Sequence, residues 1–156
     1  MSLLARIHSM RRSLNTGLFV LLLLVHGLLI YAWWPHLPEV MASHFAGDGA
    51  ADGWMSKQAF FLVTTVCGVG PLALVGGLSF LRRNMTDELR VRVLEFANVS
   101  LIGCNLLLHT VCKANVMTEP RLPDAFLWVF LAYMAYVAVW TFFIIRDRNR
   151  LQPQRL

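Results

Sequence analysis

Charge is scarce in this sequence. Only 15% of the 156 residues are charged, and nine of them are acids. A soluble domain carries about 25% charged residues, so too little charge is present here to clothe a surface that meets water. Proline and glycine are also few, at 6 and 10 residues, and long apolar runs stand in their place, which excludes a disordered chain. The three cysteines, Cys67, Cys104 and Cys112, all lie inside apolar runs. That is no disulfide framework, and buried, inert thiols are expected. Serine, histidine and aspartate occur, but without a nucleophile elbow, a CxxCH motif, a dense Cys/His cluster or a carboxylate pair at membrane depth. Nothing in the pattern supports catalysis, and a protein that is not an enzyme is expected.

What the chain has instead is apolar surface: 57% hydrophobic residues and a mean hydropathy of +0.57. One domain of this length cannot bury that much, so the lipid bilayer is the expected solvent. A bilayer core of about 30 Å needs roughly 20 apolar residues as a helix. Four segments qualify: 14–34, 59–81, 95–117 and 125–145. Without strand-length alternation between them, the expectation is an all-α, four-transmembrane-helix bundle forming a single domain. The first segment follows arginines, as a signal peptide would. Its run is too long for an h-region and no Ala-x-Ala site follows Trp34, so it reads as an uncleaved anchor.

Charge distribution sets the direction. Arg6, Arg11 and Arg12 precede span one; Arg82, Arg83, Arg90 and Arg92 separate spans two and three; Arg146, Arg148, Arg150 and Arg155 follow span four. The other two connections hold only Lys57 and Arg121. Eleven against two places both termini in the cytoplasm and residues 35–58 and 118–124 outside. The formal charge of +5 therefore reports orientation toward an anionic leaflet, and no nucleic-acid partner is needed to explain it. Tyr31, Trp33 and Trp34 suit the outer interface. Gly68, Gly70, Gly76 and Gly77 allow close helix approach, and Pro71 should bend span two. Thr86, followed by Asp87 and Glu88, reads as the capped start of span three, and the tail through Gln152-Pro153-Gln154 should fray.

The connection at 35–58, PHLPEVMASHFAGDGAADGWMSKQ, is long for a small bundle. Leu37, Met41 and Phe45 recur at i+4 after Pro38, predicting a short helix lying on the membrane. Gly47-Asp48-Gly49 and Asp52-Gly53 are turn signals, Trp54 is an interfacial anchor, and Lys57 can snorkel or pair with Asp52 across the turn. Leu37-Pro38, Ser43-His44-Phe45, Gly49 and Asp52-Gly53-Trp54-x-Ser56-Lys57 resemble the signature LP-x-HF-x-G-x-DGW-x-SK of the bacterial membrane family called domain of unknown function 1648. That family is best known as the N-terminal part of SdpI-type proteins, which resist a secreted killing factor and relay its presence to a cytoplasmic repressor. The resemblance implies a multi-pass protein of the bacterial inner membrane with an immunity or sensing task. SdpI-type proteins carry further spans after this domain, and no fifth apolar run follows residue 145 here.

Polar residues at membrane depth are the remaining signal. Asn98, Asn105, His109 and Lys113 follow one another at seven, four and four residues, an arrangement that predicts one polar face. With the 35–58 loop as roof, this face would form a pocket open to the outside. His44, Asp52, Trp54, Lys57, Asn105, His109 and Lys113 are its candidate ligand-binding residues, with an extracellular peptide or protein as partner and a cytoplasmic protein partner at the basic inner face. Interhelical hydrogen bonding explains the asparagines equally well. Two further readings stand beside it: an accessory subunit of a larger membrane complex or a homo-oligomer packing on the glycines of span two, and a haem- or metal-binding redox subunit. For the latter, His26 and His109 fall at matched depth, while His36 and Glu39, with His44, form a weaker set without a recognised metal spacing. No cofactor is expected.

Overall fold

The computed structural model describes residues 3–81 and 86–151. Arg82, Arg83, Asn84 and the tail from Gln152 lie outside the described residues. The fold is mostly helical: α1 (Leu3–Trp33), a hairpin of β1 (Val40–Phe45) and β2 (Ala51–Ser56), α2 (Lys57–Val63) running through a wide π turn (Thr64–Val69) into α3 (Gly70–Leu81), then α4 (Asp87–Asn115) and α5 (Phe126–Leu151). Among the described residues, three helical stretches, Arg6–His36, Lys57–Gly77 and Asp87–Asn115, are long and apolar enough to cross a membrane. The fourth expected span falls on α5, in which Trp128–Phe143 is apolar among the described residues.

Local chemistry accounts for the boundaries. The residue before a proline avoids helical backbone, and α1 gives way to a 3₁₀ turn at Trp34–His36, around Pro35. Ser56 caps α2 by accepting a hydrogen bond from the Ala59 N–H at 3.2 Å, and Thr86 does the same for α4 with Leu89 at 3.3 Å. Asp87 and Glu88 fill the first turn of α4, where acids favour the helix dipole. Pro71 has no N–H to return to the preceding turn, and the widened turn ends just before it. There the Gly70 N–H reaches back five residues to the Thr65 carbonyl.

Helix α4 is the axis of the bundle, half buried along its apolar window against 11% for α1 and 22% for the α2–α3 rod. One cluster joins Phe19, Val69, Leu94, Ala97 and Leu101; a second, nearer the hairpin, joins Leu37, Met41, Phe60, Phe61, Leu108 and Cys112. Since lipid tails are as apolar as leucine, such contacts hold by close packing and hydrogen bonds. A Cβ at Gly76 would lie 2.3 Å from the Phe19 ring, and one at Gly103 would lie 2.6 Å from the ring of Tyr133 on α5. Leu24, Leu28, Leu62, Leu106 and Trp128 point outward, as side chains facing lipid do. The thiols divide: Cys112 is buried and Cys104 half-buried, but Cys67 is exposed, contrary to the expectation of three buried cysteines.

The two ends differ. At one, Arg11 pairs with Glu95 at 2.8 Å and Arg12 with Asp87 at 2.9 Å, exposed pairs of small energetic weight. At the other sit the hairpin and the connection between α4 and α5. Residues Ala50 and Arg121 form a β-bridge there, with the Leu122 N–H on the Gly49 carbonyl at 3.0 Å.

Candidate functional site

The loop helix expected from Leu37, Met41 and Phe45 is not formed. Those residues lie before and along an antiparallel strand, with Val40 opposite Ser56, Met41 opposite Met55 and Ala42 opposite Trp54. Met41 and Ala42 are both fully buried, so the strand presents two successive residues to the bundle. The register then slips, pairing His44 with Gly53 and Phe45 with Ala51, which leaves Ser43 and Asp52 unpaired. Such bulges re-aim side chains. His44 Nδ1 comes within hydrogen-bond reach of Asp52 Oδ1, and Gly53 makes this possible, because a Cβ there would lie 2.7 Å from His44 Cβ. The tip closes through Gly49 N–H on the Ala46 carbonyl at 2.9 Å and Ala46 N–H on the Ala50 carbonyl at 2.8 Å. Gly49 holds φ +83, a left-handed conformation that glycine adopts freely.

Lys57 anchors the base of the hairpin. Its partner is Glu39 at 2.8 Å and not Asp52. Its ammonium also donates toward the carbonyls of Leu37 and Trp34, at 3.3 and 3.4 Å, and lies 4.9 Å from the Trp34 ring centre. Lys57 is buried while Glu39 is exposed, so this cation is held chiefly by backbone oxygens and an aromatic face. Replacement Lys57→Met keeps the stem and deletes the donors. We expect a loss of about 2 kcal/mol, read as a lower thermal midpoint in detergent, with Glu39→Gln costing clearly less. Equal losses would place the energy in the ion pair instead.

Span three departs from the expected polar stripe. Asn98 and Asn105 are buried, whereas His109 and Lys113 are exposed. Measured around the helix from buried Leu101, Asn105 lies about 40° away, but His109 and Lys113 lie about 80° and 120° away, because each four-residue step overshoots a full turn. Asn115, about 40° to the other side by the same geometry, belongs to the buried face and was not among the expected residues. It receives the Ala42 N–H on Oδ1 at 2.6 Å and donates from Nδ2 to the Ala42 carbonyl at 3.1 Å. One side-chain amide thus binds strand β1 as a neighbouring strand would.

Deeper in the bundle, His26 Nδ1 lies 2.9 Å from Asn105 Oδ1 and His26 Nε2 lies 3.4 Å from Thr65 Oγ1 in the wide turn. Asn105 also donates to the Leu22 carbonyl at 3.2 Å. His109 accepts from Trp33 Nε1 at 3.3 Å, so the two histidines weighed as a metal or haem pair have separate partners. His36 is exposed in the 3₁₀ turn, and Glu39 is taken by Lys57. Among the described residues no three His, Cys, Asp or Glu side chains converge.

The docked hairpin covers a cavity of about 500 Å³ whose walls include His44, Asp48, Leu107, Leu122, Asp124 and Phe126. A second cavity of about 310 Å³ shares Ser43, Phe45, Leu107 and Phe126 and reaches His26, Thr64 and Cys104. A third, of about 400 Å³, shares Leu107, Pro123 and Phe126 and opens between α4 and α5 along Gly103, Val129 and Tyr133. Each falls within the range of small-molecule sites. Of the expected ligand-binding residues, only His44 lines the space beneath the hairpin. Asp52 holds His44, Lys57 holds the hairpin base, Trp54 is exposed, and Asn105 lies in the helix contact with His26.

These features fall on a known sequence family. Residues 20–67 match the family model of the domain of unknown function DUF1648. No curated protein and no solved structure matches the chain. The DUF1648 segment begins in the second half of α1, takes in His26, the hairpin and Lys57, and ends inside the wide turn. Asn105 and Asn115, which bind His26 and strand β1, lie beyond it on α4. The signature residues that could be read as ligands are, in this geometry, mostly the parts that fold and close the hairpin.

Proposed function

We propose that this is a recognition protein without enzymatic activity, a four-span protein of the bacterial cytoplasmic membrane with both termini inside and its DUF1648 hairpin outside. Its task is that of an SdpI-like immunity or sensing module, receiving an extracellular amphipathic ligand such as a killing peptide. The observation that carries this reading is the cavity beneath the hairpin, lined by the carboxylates Asp48 and Asp124 together with the apolar Leu107 and Phe126. Such a space takes an apolar group and orients it by a few polar ones. The orientation follows from the arginine-rich end of the bundle, opposite the hairpin.

Expression in a strain sensitive to secreted killing peptides tests it. Cells producing the protein should survive exposure better than an empty-vector control, and a variant with a released hairpin, Asn115→Ala, should lose the protection while still reaching the membrane. Sensitivity unchanged by the wild-type protein across a panel of such peptides would reject the immunity reading.

A further inference from the structure

We infer that the cavity system takes a cationic amphiphile, with an ammonium group held at Asp48 and Asp124 and an apolar chain running past Leu107 and Phe126 into the groove between α4 and α5. This deepens the proposed function by naming the chemical class of its ligand, and it rests on that reading only for the site. Three observations meet here. The two carboxylates line the same space, and among the described residues neither is ion-paired. Asp48 uses Oδ1 to accept the Ala50 N–H at 3.0 Å, a local turn bond that fixes the side chain without neutralising it. The nearest cation of the connection, Arg121, donates instead to the Asp48 backbone carbonyl at 3.0 Å.

The remaining walls specify the other half of the ligand. Beyond the rim, Leu107, Val111, Leu122 and Phe126 leave a chain nothing to bond with. The space does not end there. Leu107 and Phe126 also border the groove that follows Val99, Ile102, Val129 and Tyr133 between the two helices. In this inference a ligand already partitioned into the bilayer reaches the carboxylates past these two shared side chains, chain and head together. A lipid-facing groove by itself accepts any tail; the carboxylates at its end select the sign of the head. Asp48 and Asp124 are both exposed at the mouth of this space, where opposite charge attracts an ammonium head and a carboxylate-headed analogue meets repulsion.

Photoactivatable dodecylamine and dodecanoic acid, each carrying a diazirine on the chain, test this on the full-length protein in phosphatidylcholine nanodiscs. Labelling at Leu107 and Phe126 is read by mass spectrometry and normalised to Leu24 and Leu28, which face lipid. The amine should label the cavity roughly tenfold more than the acid, saturably with unlabelled dodecylamine. The preference should collapse to near unity in the double variant Asp48→Asn/Asp124→Asn, where the amide oxygen at position 48 can still accept the Ala50 N–H. Leu107→Trp, which fills the junction of the spaces, should lower amine labelling while the thermal midpoint shows the protein folded. Equal labelling by both probes, or a preference that survives the double substitution, overturns the inference. The readout involves no killing peptide, so protection without amine labelling overturns the ligand class alone. Labelling as described without protection leaves the ligand class standing and counts against immunity.

Discussion

Replacing Asn115 with alanine should release the hairpin at a cost of about 2–5 kcal/mol, since two buried backbone groups lose their partners together. Ala42 is fully buried, and both its N–H and its carbonyl are satisfied by this one side chain. Water cannot replace the amide without opening the contact between β1 and α4. Hydrogen exchange at Met41, Ala42 and Ser43 in detergent should accelerate by roughly two orders of magnitude if opening follows the lost energy. Lys113→Ala, on the exposed side of the same helix, should stay within about 0.5 kcal/mol. Comparable effects at the two positions would mean that the hairpin is held by apolar contact at Met41 and Leu37, and that Asn115 is incidental.

The second large effect belongs to the tip. Gly49→Val places a β-branched residue at φ +83, where such side chains are outliers, and drives its Cβ to 2.7 Å from the Leu122 carbonyl oxygen. Backbone strain of this kind costs about 1–3 kcal/mol before the collision is counted. The Leu122 N–H on the Gly49 carbonyl and the bridge from Ala50 to Arg121 should both be lost. Exchange of the Leu122 amide, expected to be slow in the wild type, is the measurement, together with proteolysis in residues 116–124. A variant whose Leu122 amide exchanges at the wild-type rate would show that the hairpin and the second connection are not tied. Because Leu122 also lines the cavity, Gly49→Val should weaken amphiphile labelling without touching Asp48 or Asp124.

The helices were legible because bilayer-length apolar runs and their caps are local features. Thr86 with Asp87 and Glu88 announced α4, and Gly47-Asp48-Gly49 announced the turn. The hairpin was not legible because polar and apolar residue types do not alternate along its strands, which are poor in β-branched side chains. Met41 and Ala42 both turn inward in β1, and β2, though it alternates in exposure, does so with Gly53 on the inner side and Trp54 on the outer. What holds β1 is a residue 73 positions away, Asn115, and no local pattern carries that. Stepping by four along α4 led from Asn105 outward to His109 and Lys113. Alternating steps of three and four, from Leu101 through Asn105, Leu108 and Cys112, lead to Asn115. At the site, the signature spans the hairpin, in which His44 and Asp52 bond one another and Lys57 bonds the backbone around it. Asp48, read as turn chemistry, and Asp124, in a short connection, line one cavity because the two connections meet.

The wide turn at Thr64–Val69 separates two phases of one rod. A regular helix would carry a single face through Lys57–Leu81, so whatever suits Phe60 and Phe61 beneath the hairpin would dictate what reaches α1 lower down. The extra residue in the turn breaks that dependence. The outer segment can be set by the hairpin base, and the inner one by the fit of Gly76 against Phe19, each without compromising the other. Winding the turn regularly with all its residues kept would swing everything after it by about 100° and turn Gly76 away from the ring it accommodates, whereas deleting one turn residue would restore regular winding with that phase nearly unchanged. The turn is thus the point at which the signature segment and the rest of the bundle vary independently, and the segment's boundary at residue 67 falls inside it.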